Sequence, residues 1–218
     1  VFEAAGDFSA ARRFYGDALE RDPDSTSAAM NLARMDRRAG NPEAAEARYR
    51  RILERGPGNV QAMVALAEVT AGDRPDRAAG LLRTAIDEDP SHTEARLRLV
   101  QVYLGQGDLK AAEGAARELV DRVPESFRGW LALGEVQLAA GDPRGALSSA
   151  GQAAAVGGDA VAPEFQRAVA FSMLNQIEKS RESFQQVLER EPDHRRALQG
   201  LAVIDLAASR LEEASERV

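Results

Sequence analysis

Residues 26–59 read TSAAMNLARMDRRAGNPEAAEARYRRILERGPGN, and the spacing of small and apolar side chains within them decides the fold. Ala29, Leu32, Ala33 and Met35 fall at helical spacing, Gly40-Asn41 breaks the chain, and Ala45, Tyr49, Ile52 and Leu53 follow at i, i+4, i+7 and i+8. Pro57 stops the second run, because proline cannot continue a helix. The stretch predicts a hairpin of two antiparallel helices.

Moving outward, the same pattern recurs along the 218 residues. Pro23, Pro57, Pro90, Pro124 and Pro192 are spaced by 34, 33, 34 and 68 residues, and Gly158 stands where one more proline would fall. Ala11, Ala45, Ala78, Ala112, Ala146, Ser180 and Ala214 keep phase with them, each preceded by a turn: Gly6-Asp7, Gly40-Asn41, Gly72-Asp73, Gly107-Asp108, Gly141-Asp142, Asn175-Gln176 and Ser209-Arg210. A fixed period of this length marks stacked supersecondary units. The reading is one array over 1–218, with units 1–25 (beginning inside its first helix), 26–59, 60–92, 93–126, 127–160, 161–194 and 195–218 (cut off inside its second helix). The fold class is all-α, a right-handed α-solenoid of stacked antiparallel helix pairs. Composition agrees: 41 Ala against 5% aromatics suits close helix crossings, where a bulkier residue on the Ala ladder would push the helices apart.

One regular feature and three local departures carry expectations of their own. Ser91-His92-Thr93-Glu94 reads as a capping box, with Ser91 accepting from the Glu94 amide. Unit three is one residue short, so its first helix is shortened and the turn Gly72-Asp73-Arg74-Pro75 lengthened. Unit five has a weak second helix, Gly145 through Ala155, ending in Gly157-Gly158, which reads as a loose surface helix with a longer linker or as a hinge. Unit six places Arg167 where the other first helices have Leu; that Arg either snorkels to water or pairs with an acid such as Glu164.

With the period, Leu32, Leu66, Leu99, Leu133 and Leu201 at the seventh position, small residues or Val at the eighth, the Ala ladder and the closing Pro, the whole chain resembles the tetratricopeptide repeat family. The resemblance implies a scaffold whose first helices line a groove for a peptide or helix of a partner protein. Carried over by position, that groove takes Asn31, Arg34 and Arg38 from unit two, Gln61, Val64 and Glu68 from unit three, and Glu94, Leu97, Arg98 and Gln101 from unit four. Units five and six add Arg128, Leu131, Glu135, Phe165 and Gln166. The Lys and Asn pattern by which some relatives clamp a chaperone's terminal carboxylate is absent: position five holds Met30, Val64, Leu97, Leu131, Phe165 and Gln199. Arginines alternating with Glu68, Glu94 and Glu135 suit a partner of both signs or a helix. The alternative is an ordinary solvated face, with the partner bound elsewhere.

Other classes recede on composition. With no Cys and two His there is no thiolate nucleophile and no Cys-based or all-His zinc site, so no metal or cofactor is called for. His92 and His194 sit on separate inter-repeat loops, and no nucleophile elbow, metalloprotease or phosphate-loop motif occurs in its required context. A net charge of −7 argues against nucleic acid as partner, and no apolar run is long enough to insert in a membrane. Of 28 basic residues only Lys110 and Lys179 are Lys, which points to a GC-rich bacterial genome. The expectation is a non-catalytic scaffold forming a piece of a larger bacterial protein, in an envelope, secretion or exopolysaccharide assembly. A second reading makes it the recruiting arm of an enzyme whose catalytic domain lies elsewhere, and a third has its terminal units pairing copies of the chain. Cytoplasm and periplasm are both compatible with the absence of Cys.

Overall fold

The structure is a computed structural model that describes residues 8–215, with side chains described through residue 207. Among the described residues it holds twelve helices and no strand. The chain divides into two compact units, residues 1–107 and 108–218. The first contains α1 (Phe8–Arg21), α2 (Thr26–Arg38), α3 (Pro42–Arg55), α4 (Val60–Thr70), α5 (Pro75–Glu88) and α6 (Thr93–Gln106). The second contains α7 (Leu109–Arg122), α8 (Phe127–Ala139), α9 (Pro143–Val156), α10 (Val161–Met173), α11 (Ile177–Arg190) and α12 (Arg195–Ser215).

Local chemistry starts and stops these helices. Pro42, Pro75 and Pro143 occupy first-turn positions, where the missing N–H costs nothing. Asn59, Asp108, Ser126 and Asp142 cap their helices by accepting from the amides of Ala62, Ala111, Gly129 and Gly145 at 2.9–3.0 Å. Four of the hairpin turns place a left-handed residue at one fixed position, filled by Gly40, Gly107, Gly141 and, in unit six, Asn175 at φ 55°.

Packing follows the ladder. Ala45, Ala78, Ala112, Ala146 and Ser180 are completely buried, and Ala11 is 1% exposed. Ser180 takes the alanine's place because its hydroxyl donates to the Ala168 carbonyl at 2.8 Å, so no buried donor is stranded. Within each unit consecutive helices pack against each other; in addition α4 touches α6 and α8 touches α10, so first helices of successive hairpins approach one another directly.

Several details differ from the sequence reading. His92, not Ser91, is the N-cap of α6: its Nδ1 accepts from the Ala95 amide at 3.1 Å, while Asp89 captures the Ser91 hydroxyl at 2.6 Å. His194 caps the start of α12 in the same way, accepting from Ala197 at 3.1 Å. The second helix of unit five, read as Gly145 through Ala155, runs from Pro143 to Val156 as α9. Its Gly145 is demanded locally, since a Cβ there would lie 2.1 Å from the capping Asp142. Gly158 cannot be the ladder's proline, because its φ is 122° and the Phe127 ring lies 2.9 Å from where a Cβ would sit. No turn forms at Ser209-Arg210: α12 runs through it, and no Gly or Asn there offers a left-handed residue. The turn Gly6-Asp7 and the side chain of Ala214 lie outside the described residues. As expected, α4 is the shortest helix described, at 11 residues. Arg167 does both things asked of it, reaching solvent and lying 3.5 Å from Glu164.

Candidate partner-binding faces

In the first unit, the expected groove residues sit on α2, α4 and α6. Arg34, Arg38, Gln61 and Gln101 are exposed, and Asn31, Glu68, Glu94 and Arg98 are half-buried. Val64 and Leu97 are 7% and 5% exposed and pack into the interior. Several of these residues are brought together as a chain of charges. Glu68 accepts from Arg37 on one side and lies 3.0 Å from the Arg98 guanidinium on the other, while Arg98 reaches Glu94 at 2.8 Å. Gln101 accepts from Arg98 at 3.3 Å, and Asn31 accepts from Arg34. Arg37 was missed by the carry-over although it holds position twelve of unit two; applying the same positions to every residue of that helix would have found it.

Beside this chain of charges lies a cleft of about 550 Å³ between α4, α5 and α6. Ala67, Ala71, Leu82, Val102 and Gly105 give it apolar walls, and Arg37, Glu68, Arg98 and Gln101 also line it. Gln106, which lines it too, donates to Asp76 at 2.7 Å.

Two further carboxylates are buried in the same unit and join its helices. Asp36, 3% exposed, lies 2.7 Å from both Arg12 of α1 and Arg48 of α3. Burial pushes its carboxyl up, but hydrogen bonds and charge from Arg48 and Arg12 outweigh this and hold it below the usual carboxylate value. Glu46 on α3, 8% exposed, accepts from Arg74, just ahead of α5, at 2.5 and 2.6 Å and pairs with Arg50, with Arg77 of α5 at 3.6 Å. Burial opposes its ionisation too; the Arg74 hydrogen bond and the three guanidinium charges win, and its carboxyl is lowered.

In the second unit, Arg128 and Glu135 are exposed and Leu131 is half-buried. Gln166 is 9% exposed and points inward: its Nε2 donates to the Leu131 carbonyl at 2.7 Å, and its amide fills the place where a Cβ on Gly134 would be. Phe165 lies among rings, 5.9 Å from Phe184 and 5.1 Å from His194, with the Arg196 guanidinium 4.6 Å from its centroid. Among the described residues no group of three or more His, Asp or Glu is placed to hold a metal, and no helix is long and apolar enough to cross a membrane.

Helical hairpins of about 34 residues, crossed at small side chains and presenting polar groups along their first helices, define a repeat protein of the interaction-scaffold class. The chain belongs to the tetratricopeptide repeat family, which matches residues 3–68, 70–136 and 165–216. It is similar to cellulose synthase operon protein C of Pseudomonas fluorescens, 32% identical over 153 residues, covering 66% of this chain and 12% of that protein. The chain thus spans about an eighth of the length of this curated relative. Its fold is similar to that of PilW, described as a widely conserved type IV pilus biogenesis factor, with a TM-score of 0.78 at 17% identity over 92% of this chain and 93% of that one. It is also similar to YrrB, described as a tetratricopeptide repeat protein with an unusual peptide-binding site, with a TM-score of 0.64 at 17% identity over 86% and 97% of the two chains.

Proposed function

We propose that this chain is the non-catalytic docking segment of a bacterial multiprotein assembly, and that it holds a peptide or helix of a partner protein along the exposed faces of its first helices. The observation that carries this reading is the division of labour on those helices. Leu32, Ala33, Leu66, Ala67, Leu99 and Val100 are buried and make the hairpin interiors, whereas Arg34, Arg38, Gln61 and Gln101 on the same helices stand in solvent. Likeness to a cellulose synthase operon protein supports placing the assembly among those that make an exopolysaccharide, and likeness to a pilus biogenesis factor supports an envelope setting.

A photoreactive amino acid introduced singly at Arg38 or Gln101, and as comparison at Arg51 or Arg83 on α3 and α5, tests the proposal in cells carrying the intact protein. Adducts with one and the same partner polypeptide are expected from the first pair and not from the second. Adducts formed only from Arg51 and Arg83 would overturn the assignment of the binding face.

A further inference from the structure

We propose that a cavity between α1, α3 and the start of α2 binds a small soluble phosphate monoester. It shares no residue with the face assigned to a partner protein, so the two readings stand or fall separately. Its volume of about 530 Å³ is within the range of sites that hold small molecules. Leu19 of α1, Ala29 of α2 and Ala47 and Ile52 of α3 give it apolar walls. Arg48, Arg51 and Arg55 line it as well, together with the hydroxyl-bearing Ser25 and Thr26.

The three arginines single the place out. They stand at i, i+3 and i+7 of α3 and so lie along one side of it. The repeat does not dictate them. Counted from the Ala ladder, the same places hold Leu81, Thr84 and Glu88 in unit three and Ala115, Glu118 and Arg122 in unit four. In unit five they hold Ser149, Gln152 and Val156, and in unit six Ser183, Gln186 and Arg190. Nor are the charges used up. Arg55 is matched by Asp24 at 2.6 Å, the sole acid among the described residues that line the cavity. Arg48 lies 2.7 Å from Asp36, but Arg12 lies equally close to the same carboxylate, so two guanidiniums face one negative charge and one positive charge is left over. Arg51 is exposed, and among the described residues no hydrogen bond or ion pair holds it. Two uncompensated positive charges therefore remain on and beside the cavity. They complement a phosphate monoester, which carries close to two negative charges at neutral pH. Guanidinium forks suit its oxygens, and the apolar walls suit the group esterified to it.

Phenyl phosphate is the probe, titrated into the isotope-labelled full chain and followed by amide chemical shifts. Shifts are expected to concentrate at residues 23–29 and 47–55. Inorganic phosphate should move the same amides about tenfold more weakly, because it leaves the apolar walls empty, and benzyl alcohol should move none. Arg51→Gln should weaken phenyl phosphate about tenfold, the loss of one charge-assisted contact. Ala47→Leu, which fills the cavity from an exposed position, should weaken phenyl phosphate more than inorganic phosphate. Both variants should keep the thermal midpoint, and Arg83→Gln, at an exposed arginine of α5, should keep the affinity. No shift, shifts spread evenly over the exposed arginines, or an affinity indifferent to Arg51→Gln or to Ala47→Leu would leave an adventitious ion only and overturn the proposal. Sedimentation with phosphatidic acid vesicles, by a chain whose amides phenyl phosphate leaves unmoved, would replace it with a lipid headgroup site.

Discussion

Gly114 and Gly200 are each the sixth residue of a helix, α7 and α12, and replacing either with Ala changes the same atoms with opposite results. Both substitutions gain helix propensity, and both restrict the unfolded chain, together worth about 1 kcal/mol. At Gly114 a Cβ meets nothing within 4 Å, so this gain stands alone and Gly114→Ala stabilises by roughly 0.5–1 kcal/mol. At Gly200 the Cβ would lie 2.4 Å from Cζ and 2.6 Å from Cε2 of Phe184. Ordinary contact begins at 3.4 Å, so the ring must retreat by about an ångström. It has little room: Phe184 is 4% exposed and packs with Val161, Ala168, Val187, Ala197 and Ile204. Overpacking of this kind costs about 1–3 kcal/mol, which leaves Gly200→Ala destabilising by up to about 2 kcal/mol and separates the two variants by about 1–3 kcal/mol. Urea unfolding followed by circular dichroism reads the difference, comparing whole curves because repeat arrays need not unfold in one step. Equal shifts in the same direction for both variants would refute the packing assigned to Phe184.

Acid should weaken the first unit in particular: Asp36 and Glu46 have lowered carboxyl values when folded, so their contribution is complete at neutral pH and is lost as pH falls from about 5 toward 2. Urea midpoints across that range check this, and Asp36→Asn with Glu46→Gln should flatten the dependence. His92→Ala should cost about 1 kcal/mol by removing the α6 cap, with His92→Asn restoring most of it in thermal melts. Ala112→Leu, at a completely buried ladder position, should destabilise by about 1–3 kcal/mol, whereas Ser180→Ala should change stability by less than about 1 kcal/mol; an unchanged midpoint for Ala112→Leu would count against the crossing.

The hairpins were legible because their determinants are local and repeated: a turn residue that tolerates positive φ, a small residue at the crossing, and a proline at the end. The shortened α4 was legible for the same reason, by counting. What was not legible depended on competition between neighbours. Ser91 has the right chemistry for a cap, but Asp89 takes its hydroxyl and leaves His92 to do the capping. Gln166 reads as a polar groove residue, yet the missing side chain of Gly134 opens a space that draws it inward. Arg37 was within reach of the sequence by its position in unit two; only its pairing with Glu68 on the next hairpin was not.

Glu46 has a consequence for how such a chain can change over generations. Its charge is neutralised by Arg50 of its own helix and by Arg74 and Arg77, which belong to the following hairpin. Joints made of alanine and leucine are interchangeable, so duplicating or exchanging a hairpin across them leaves a serviceable interface. Across the Glu46 joint the same event takes away two of the three guanidiniums that face a buried carboxylate and leaves it only Arg50 of its own helix. The order of these two hairpins is thereby favoured within an otherwise modular sequence, and the joint resists recombination.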